Sequence, residues 1–291
     1  RDFDVDLAYE AMYKSATLPG AKNLMRPDND DYMSKGYVPL REQYDNSVSH
    51  ALEYYIADFA LSRFAEALGK KKDAEMFGTF RPILPDGTFY SPFNPRQGEN
   101  FEPNPGFHEG SAWNYSFYVP HDVYGLAKLM GGKNPFIKKL QMVFDEGLYD
   151  PANEPDIAYA HLFSYFRGEE WRTQKETQRL LDKYFTTKPN GIPGNDDTGT
   201  MSAWAIFNMI GFYPDCPGLP EYTLTTPVFN KVTIRLDPKW YKEKELVIES
   251  NRTQPGTLYI NKVLLNGKKF NQYRITHDEL VHSQRILFDL K

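Results

Sequence analysis

Three stretches of this 291-residue chain gather carboxylates and amides beside glycines, each where a loop gives way to a helix. The first is Gly106-Phe107-His108-Glu109-Gly110-Ser111-Ala112-Trp113-Asn114-Tyr115, running on to Val119-Pro120-His121-Asp122. Glu109 lies about one turn from Trp113, and apolar neighbours raise a carboxyl pKa toward neutrality, as a general acid requires. A Glu at a helix start also complements the helix dipole, so catalysis and capping both stand as readings here. The second is Asn153-Glu154-Pro155-Asp156, whose oxygen-rich turn suits a hard cation such as calcium, or sugar hydroxyls. Asn153 as N-cap with Pro155 in the first turn accounts for the same residues structurally. The third runs from Gly191 to Trp204 and presents Asn195, Asp196 and Asp197 between Gly194 and Gly199. Adjacent carboxylates shift each other's pKa, which suits a cluster that awaits a cation or works as a base. Its spacing is not that of an EF-hand loop, which needs a bidentate Glu at the twelfth position.

These junctions need rigid elements behind them. From about Asp4 to Phe212 the apolar residues recur mostly at helical spacing. The spacing predicts helices over Val5–Ser15, from Asn46 or Ser47 to a stop at Gly69, over Pro120–Met130, Ile157–Phe166, Trp171–Phe185 and Met201–Ile210. Broad apolar faces need helices on several sides, which suits a stack or barrel of helical hairpins. After Pro217-Gly218 the pattern changes to short β-branched runs, predicting strands over Val228–Leu236, Glu245–Ser250, Thr257–Leu265 and Ser283–Leu290, with a hairpin at Asn266-Gly267. The fold class is therefore mainly α in residues 1–217, followed by a C-terminal β region in 218–291. Two long loops, Phe80–His108 with six prolines and Thr186–Thr200 with three glycines, interrupt the helical part; loops of this length are more often functional than idle.

Composition narrows the function classes. Net charge is −5 and the 34 Lys and Arg are scattered, so the footprint of a phosphate-backbone binder is missing and no nucleic-acid partner is expected. No run approaches the roughly 18 apolar residues of a membrane span. Cys216 is the single cysteine and forms no internal disulfide, and no Cys/His pair has zinc-site spacing. Aromatic residues make up 15% (20 Tyr, 20 Phe, 4 Trp), which puts rings at surfaces or clefts where they can stack on ligands. Asn114-Tyr115-Ser116 and Asn251-Arg252-Thr253 match the glycosylation pattern, a frequent coincidence. Without a Gly-rich phosphate loop or a nucleophile elbow, nucleotide chemistry and acyl transfer have little support.

At the three junctions the sequence resembles the glycoside hydrolase family 92 α-mannosidases. The matching stretches are Glu109-Gly110-Ser111-Ala112-Trp113 with Val119-Pro120-His121-Asp122, then Asn153-Glu154-Pro155, then Gly194 through Trp204, continuing through Gly211-Phe212-Tyr213-Pro214 into Pro220-Glu221-Tyr222. The resemblance implies a calcium-dependent, exo-acting, inverting α-mannosidase, with α-1,2-mannosides of N-glycan-type mannans as substrates and a periplasmic, cell-surface or secreted location. It implies that these residues form the later part of an (α/α)6 barrel and a C-terminal strand region packing on a β-sandwich, with that sandwich and the earlier barrel portion as partners. The Ala74–Phe80 connection is shorter than the family's. Glu109 matches the general acid, where members acting on mannose phosphodiesters carry Gln. Asp197 matches the general base, assisted two positions earlier by Asn195, where some members carry Asp; Asp196 lies between them. Trp113, His121, Asp122 and Glu154 are the residues implied for substrate binding, and Asn153, Glu154 and Asp197 for calcium. Asn114 replaces a commoner Gln. A non-catalytic carbohydrate-binding protein on this scaffold, or a helical-barrel enzyme for another sugar, are the alternatives.

Overall fold

The computed structural model describes residues 3–41, 46–70, 107–254 and 256–291. Most of the expected Phe80–His108 loop, the Ala74–Phe80 connection and Gly106 lie outside the described residues. The chain divides into two compact units, Arg1–His121 with Pro217–Leu219, and Asp122–Cys216 with Pro220–Lys291. This division cuts across the change from helix to strand near residue 217.

The first unit holds α1 (Val5–Thr17), α2 (Asn29–Lys35), α3 (Ser47–Ala67) and α4 (Ala112–Tyr115). Asp4 caps α1 by accepting from the Leu7 N–H at 2.9 Å. The helix buries Tyr9 and Ala16 against Leu61 and Ala65 of α3, with Phe64 edge-on to Tyr9 at 5.7 Å. On another face of α3, buried Asp58 pairs with Arg26 at 2.7 Å and accepts from the Tyr32 hydroxyl at 3.0 Å. Burial raises the Asp58 pKa, and the Arg26 charge opposes the shift. Leu68 caps the end of α3 and Gly69, at φ +73°, turns the chain away as expected.

The second unit begins with α5 (Val123–Leu129) and α6 (Lys133–Asp145). The single helix expected over Pro120–Met130 is a 3-10 turn, Pro120–Asp122, followed by α5, because the Asp122 carboxylate accepts from the Gly125 N–H at 2.8 Å and restarts the helix. The structure adds α6, whose buried Phe136, Ile137, Leu140, Val143 and Phe144 have clear helical spacing, starting directly after Gly132. The segment expected as a helix over Ile157–Phe166 forms 3-10 turns at Tyr159–Tyr165. Tyr159 to Ser164 are all buried, so the segment has no solvated face and its winding is set by surrounding contacts rather than by amphipathic periodicity. α7 (Glu170–Tyr184) and α8 (Thr200–Ile210) fall within a residue or so of expectation.

Strands β1 (Phe212–Tyr213), β2 (Glu221–Leu224) and β7 (Arg274–Thr276) form an antiparallel sheet in the order β1-β2-β7. A five-stranded sheet runs β3-β4-β8-β5-β6, from β3 (Lys231–Arg235), β4 (Glu245–Arg252), β5 (Ile260–Leu265), β6 (Lys268–Phe270) and β8 (Arg285–Leu290). Its β4–β8 pair is parallel and the others antiparallel. The expected hairpin joins β5 to β6, with Asn266 at φ +49° and Gly267 at φ +80°, both left-handed as a tight primed turn requires. Short α9 (His277–Val281) intervenes before β8. One core of Phe212, Leu224, Ile248, Ile275, Ile286 and Phe288 joins both sheets, with Phe207 and Ile210 of α8 packed against it. The helix that follows the third loop is thereby bolted to the strands.

Candidate active site

The first loop is held to the start of α3. His108 donates its N–H to Ser49 Oγ at 2.7 Å and accepts through its carbonyl from the Tyr115 hydroxyl at 2.9 Å, and its ring lies 3.2 Å from the Asn46 amide. Glu109 follows at φ +53°, a conformation that side-chain-bearing residues seldom adopt, and its carboxylate is 57% exposed, 3.6 Å from His108 Nε2. Ser111, not Glu109, caps α4: its N–H and hydroxyl both donate to Asn114 Oδ1, at 2.7 and 2.8 Å. Asn114 is thus buried in the helix start, and the glycosylation match there is not an accessible site; Asn251 is exposed. Trp113 is half-buried in α4, and the His121 ring packs 5.5 Å from Phe59.

The second and third loops meet within the other unit. A Cβ added to Gly194 would stand 2.7 Å from Ala152 Cβ and 3.1 Å from Ala152 Cα, so the loop carrying Asn195–Asp197 lies on the one carrying Asn153–Asp156 only because residue 194 has no side chain. Trp204 of α8 ties them again by donating its indole N–H to the Ile157 carbonyl at 2.8 Å. Asn153 is buried and Glu154 half-buried at the start of a 3-10 turn, while fully buried Asp156 accepts from the Asp150 N–H at 2.8 Å.

Neighbouring Asp196 and Asp197 are used differently. Asp196 accepts from the Ser202 N–H at 2.9 Å and the Ser202 hydroxyl at 2.6 Å, which anchors the loop to the first turn of α8 and holds its carboxyl below the usual range. Asp197 is exposed, and among the described residues its carboxylate has no hydrogen-bond or ion-pair partner. Its carbonyl accepts from Thr200 Oγ1 at 2.7 Å, and the chain then turns through Thr198 at φ +52° and Gly199 at φ +80°. Asn195 is likewise exposed with no side-chain partner among the described residues. Three non-glycine residues among those described have φ in the left-handed region: Asn266 sits in the hairpin, and the other two, Glu109 and Thr198, sit in these loops.

The donors at the paired loops are oxygens, as a hard cation requires, with Glu154 and Asp197 as carboxylates and Asn153 and Asn195 as amides. Among the described residues no three His, Cys, Asp or Glu converge on one point.

Comparison with known proteins gives the family of the chain. The model of the glycosyl hydrolase family 92 catalytic domain matches residues 1–291. The chain belongs to family 92. Among solved family 92 structures, an α-mannosidase from Bacteroides thetaiotaomicron in complex with mannoimidazole is similar over 100% of this chain and 41% of its own, at 29% identity and a TM-score of 0.87. An inverting mannosidase of the same species matches over 100% and 44%, at 29% identity and a TM-score of 0.85. A curated relative, described as an uncharacterized secreted glycosidase of Arthroderma benhamiae, is 27% identical over 95% of this chain and 41% of its own length. The family 92 chain thus spans less than half the length of these relatives.

Four residues that hold these loops in place were not singled out from sequence: Ala152, Thr198, Ser202 and Trp204. Ser202 had no sequence signal, since Asp196 stands six residues before it, outside the capping positions of the helix. The Gly194–Ala152 contact had none either, because it joins residues far apart in sequence.

Proposed function

We propose that this chain carries the catalytic loops of a longer, exo-acting, inverting α-mannosidase. The observation that carries the reading is the family 92 match over the whole chain, joined to the solved α-mannosidase at a TM-score of 0.87. Glu109 is the general acid, giving its proton to the glycosidic oxygen of the leaving sugar. Asp197 is the general base; with no internal partner among the described residues, its carboxylate is available to take a proton from water. Asp196 is the anchor rather than the base, because both its hydrogen bonds secure the loop to α8 and its lowered pKa makes it the poorer proton acceptor. Asn195, two residues before Asp197, orients the water through its amide. An inverting enzyme keeps its two carboxyls roughly 6.5–9.5 Å apart so that water fits between base and sugar. Trp113, His121, Asp122 and Glu154 are proposed to face the sugar, although Asp122 also caps α5.

Calcium fits the all-oxygen donor chemistry of the two touching loops, and Asn153, Glu154 and Asp197 would hold it. When bound it would fix the sugar's vicinal hydroxyls and favour a flattened ring. Residues 1–217 belong to the (α/α)6 barrel and 218–291 to the strand region, with the β-sandwich and earlier barrel helices supplied by the rest of the protein. α-1,2-linked mannose of N-glycan-type mannans is the proposed substrate. A periplasmic, cell-surface or secreted location is supported by the secreted relative, and no helix among the described residues is long and apolar enough to cross a membrane.

The test is mannose release from α-1,2-mannobiose by the full-length protein, followed by proton NMR with EDTA and then with calcium restored. Initial release of β-mannose that stops with EDTA and returns with calcium is expected. Release of α-mannose would overturn inversion, and undiminished release in EDTA would overturn calcium dependence. A folded full-length protein that binds mannobiose without turnover would favour the binding-protein alternative.

A further inference from the structure

Two hydrogen bonds, one helical turn apart, clamp α8 to the segment that follows the Asn153–Asp156 loop. Trp204 donates its indole N–H to the Ile157 carbonyl at 2.8 Å. Four residues further along both partners, His161 Nε2 lies 2.9 Å from Asn208 Oδ1. The two bonds stand about 6 Å apart along the helix. One bond alone would leave α8 a pivot; two at this spacing stop it from sliding or turning against the segment.

The chain around the second bond fixes its direction. The Asn208 side-chain amide donates to the Trp204 carbonyl at 2.9 Å, and a carbonyl can only accept. Asn208 Oδ1 therefore faces the imidazole, and His161 Nε2 carries the proton. The ring is fully buried, stacked on Tyr213 with centroids 4.3 Å apart and edge-on to Trp204 at 6.1 Å. Burial lowers the imidazole pKa and keeps the ring neutral. From this pair the hydrogen bonds continue to both candidate loops. On one side the Ile157 N–H donates to the Glu154 carbonyl at 3.2 Å. On the other, Trp204 shares α8 with Thr200, whose hydroxyl donates to the Asp197 carbonyl, and with Ser202, which donates to the Asp196 carboxylate. Phe185, just before the Thr186–Thr200 loop, stacks on the Trp204 indole with centroids 5.4 Å apart, so both ends of that loop meet at Trp204.

We infer that His161 is a positioning residue of the candidate active site: its Nε2–H bond to Asn208, with the Trp204 bond, fixes α8 and hence Asp197 against the loop of Asn153 and Glu154. That the held loops hydrolyse a mannoside rests on the proposed function; that two bonds join them rests on the geometry.

The test separates the donor from the ring. His161→Phe keeps a flat ring on Tyr213 and removes the donor, whereas His161→Gln removes the ring and returns an amide N–H near the place of Nε2. Both are compared in the full-length protein, well below the Tm of each. On an aryl α-mannoside, kcat should fall about tenfold in His161→Phe and stay within about threefold of the parent in His161→Gln, because misplacement rather than lost packing sets the rate. Hydrogen exchange over residues 195–203, read by mass spectrometry, should quicken in His161→Phe and stay parental in His161→Gln. A ring needed only for packing gives the opposite order in both readouts and would overturn the inference, as would parental kinetics and exchange in both variants. Trp204→Phe removes the other bond and keeps a ring on Phe185, so it should match His161→Phe. The double substitution should cost far less than the product of the two, since the clamp needs both bonds; independent, multiplying losses would also overturn the inference. If the parent fails to hydrolyse the aryl mannoside, the mannosidase reading falls by itself and the order of hydrogen exchange still decides the role of His161.

Discussion

The neighbouring carboxylates Asp196 and Asp197 make the sharpest contrast at the level of single residues. Asp197→Asn in the full-length protein should lower kcat by about 100- to 10,000-fold, the usual worth of a general base, with the fold unchanged by circular dichroism. Asp196→Asn should act mainly on stability, and with a definite pH dependence. Its folded pKa is depressed by Ser202, so its stabilisation is fully present above the unfolded value of about 4 and is lost as pH falls through the folded one. The Tm gap between parent and Asp196→Asn should therefore be full at pH 6 and shrink toward pH 2.5; a gap that widens with acid would refute the anchor assignment. Glu109→Gln should cost a mannoside with a poor leaving group far more than an activated aryl mannoside, because only the former needs the proton. Equal losses on the two substrates would remove Glu109 from the acid role.

Among elements, the decisive feature is how closely two loops approach. Gly194→Ala puts a methyl group 2.7 Å from Ala152 Cβ, inside any real contact, so one loop must move. The expected result is a folded protein whose kcat/KM falls at least about tenfold, since small misplacement of reacting groups is costly; wild-type kinetics would show that the contact does not position the site. Thr198 tests the neighbouring turn from the other side. A β-branched residue at φ +52° is strained, so Thr198→Gly should hold or raise Tm while lowering kcat by loosening Asp197. α6 and the Tyr159–Tyr165 turns show how legible such elements were. α6 carries a plain helical apolar stripe that its bounding Gly131-Gly132 and Pro135 obscure, whereas the buried 3-10 segment has no polar face from which a period could be read.

For the molecule as a whole, stability rests on pairings across the chain. Arg274 of β7 bonds Asp215 at 2.9 Å, and the Asp215 side chain is entirely buried. Arg274→Met would strand that carboxylate and should destabilise the full-length protein by about 3–5 kcal/mol in denaturant melts, against under about 1 kcal/mol if the pair were merely a surface contact. The first unit leaves Leu24 wholly exposed and Met25 77% exposed, with Phe3 and Leu7 at 62% each. The isolated 291-residue segment should accordingly aggregate or require a companion chain; a monomeric, cooperative melt would contradict this.

The sequence by itself determined the change from helices to strands and the main helices α1, α3, α7 and α8, because helical period, β-branched runs and capping residues act over a few positions. It also placed Glu109, Asn153 and Asp197 in loops beside helices, since motifs are local. Tertiary structure alone decided that Gly194 admits Ala152, that Trp204 reaches the Ile157 carbonyl, and that Arg274 pairs with Asp215. Each of those depends on where a distant backbone lies, and a chain's local preferences carry no record of that distance.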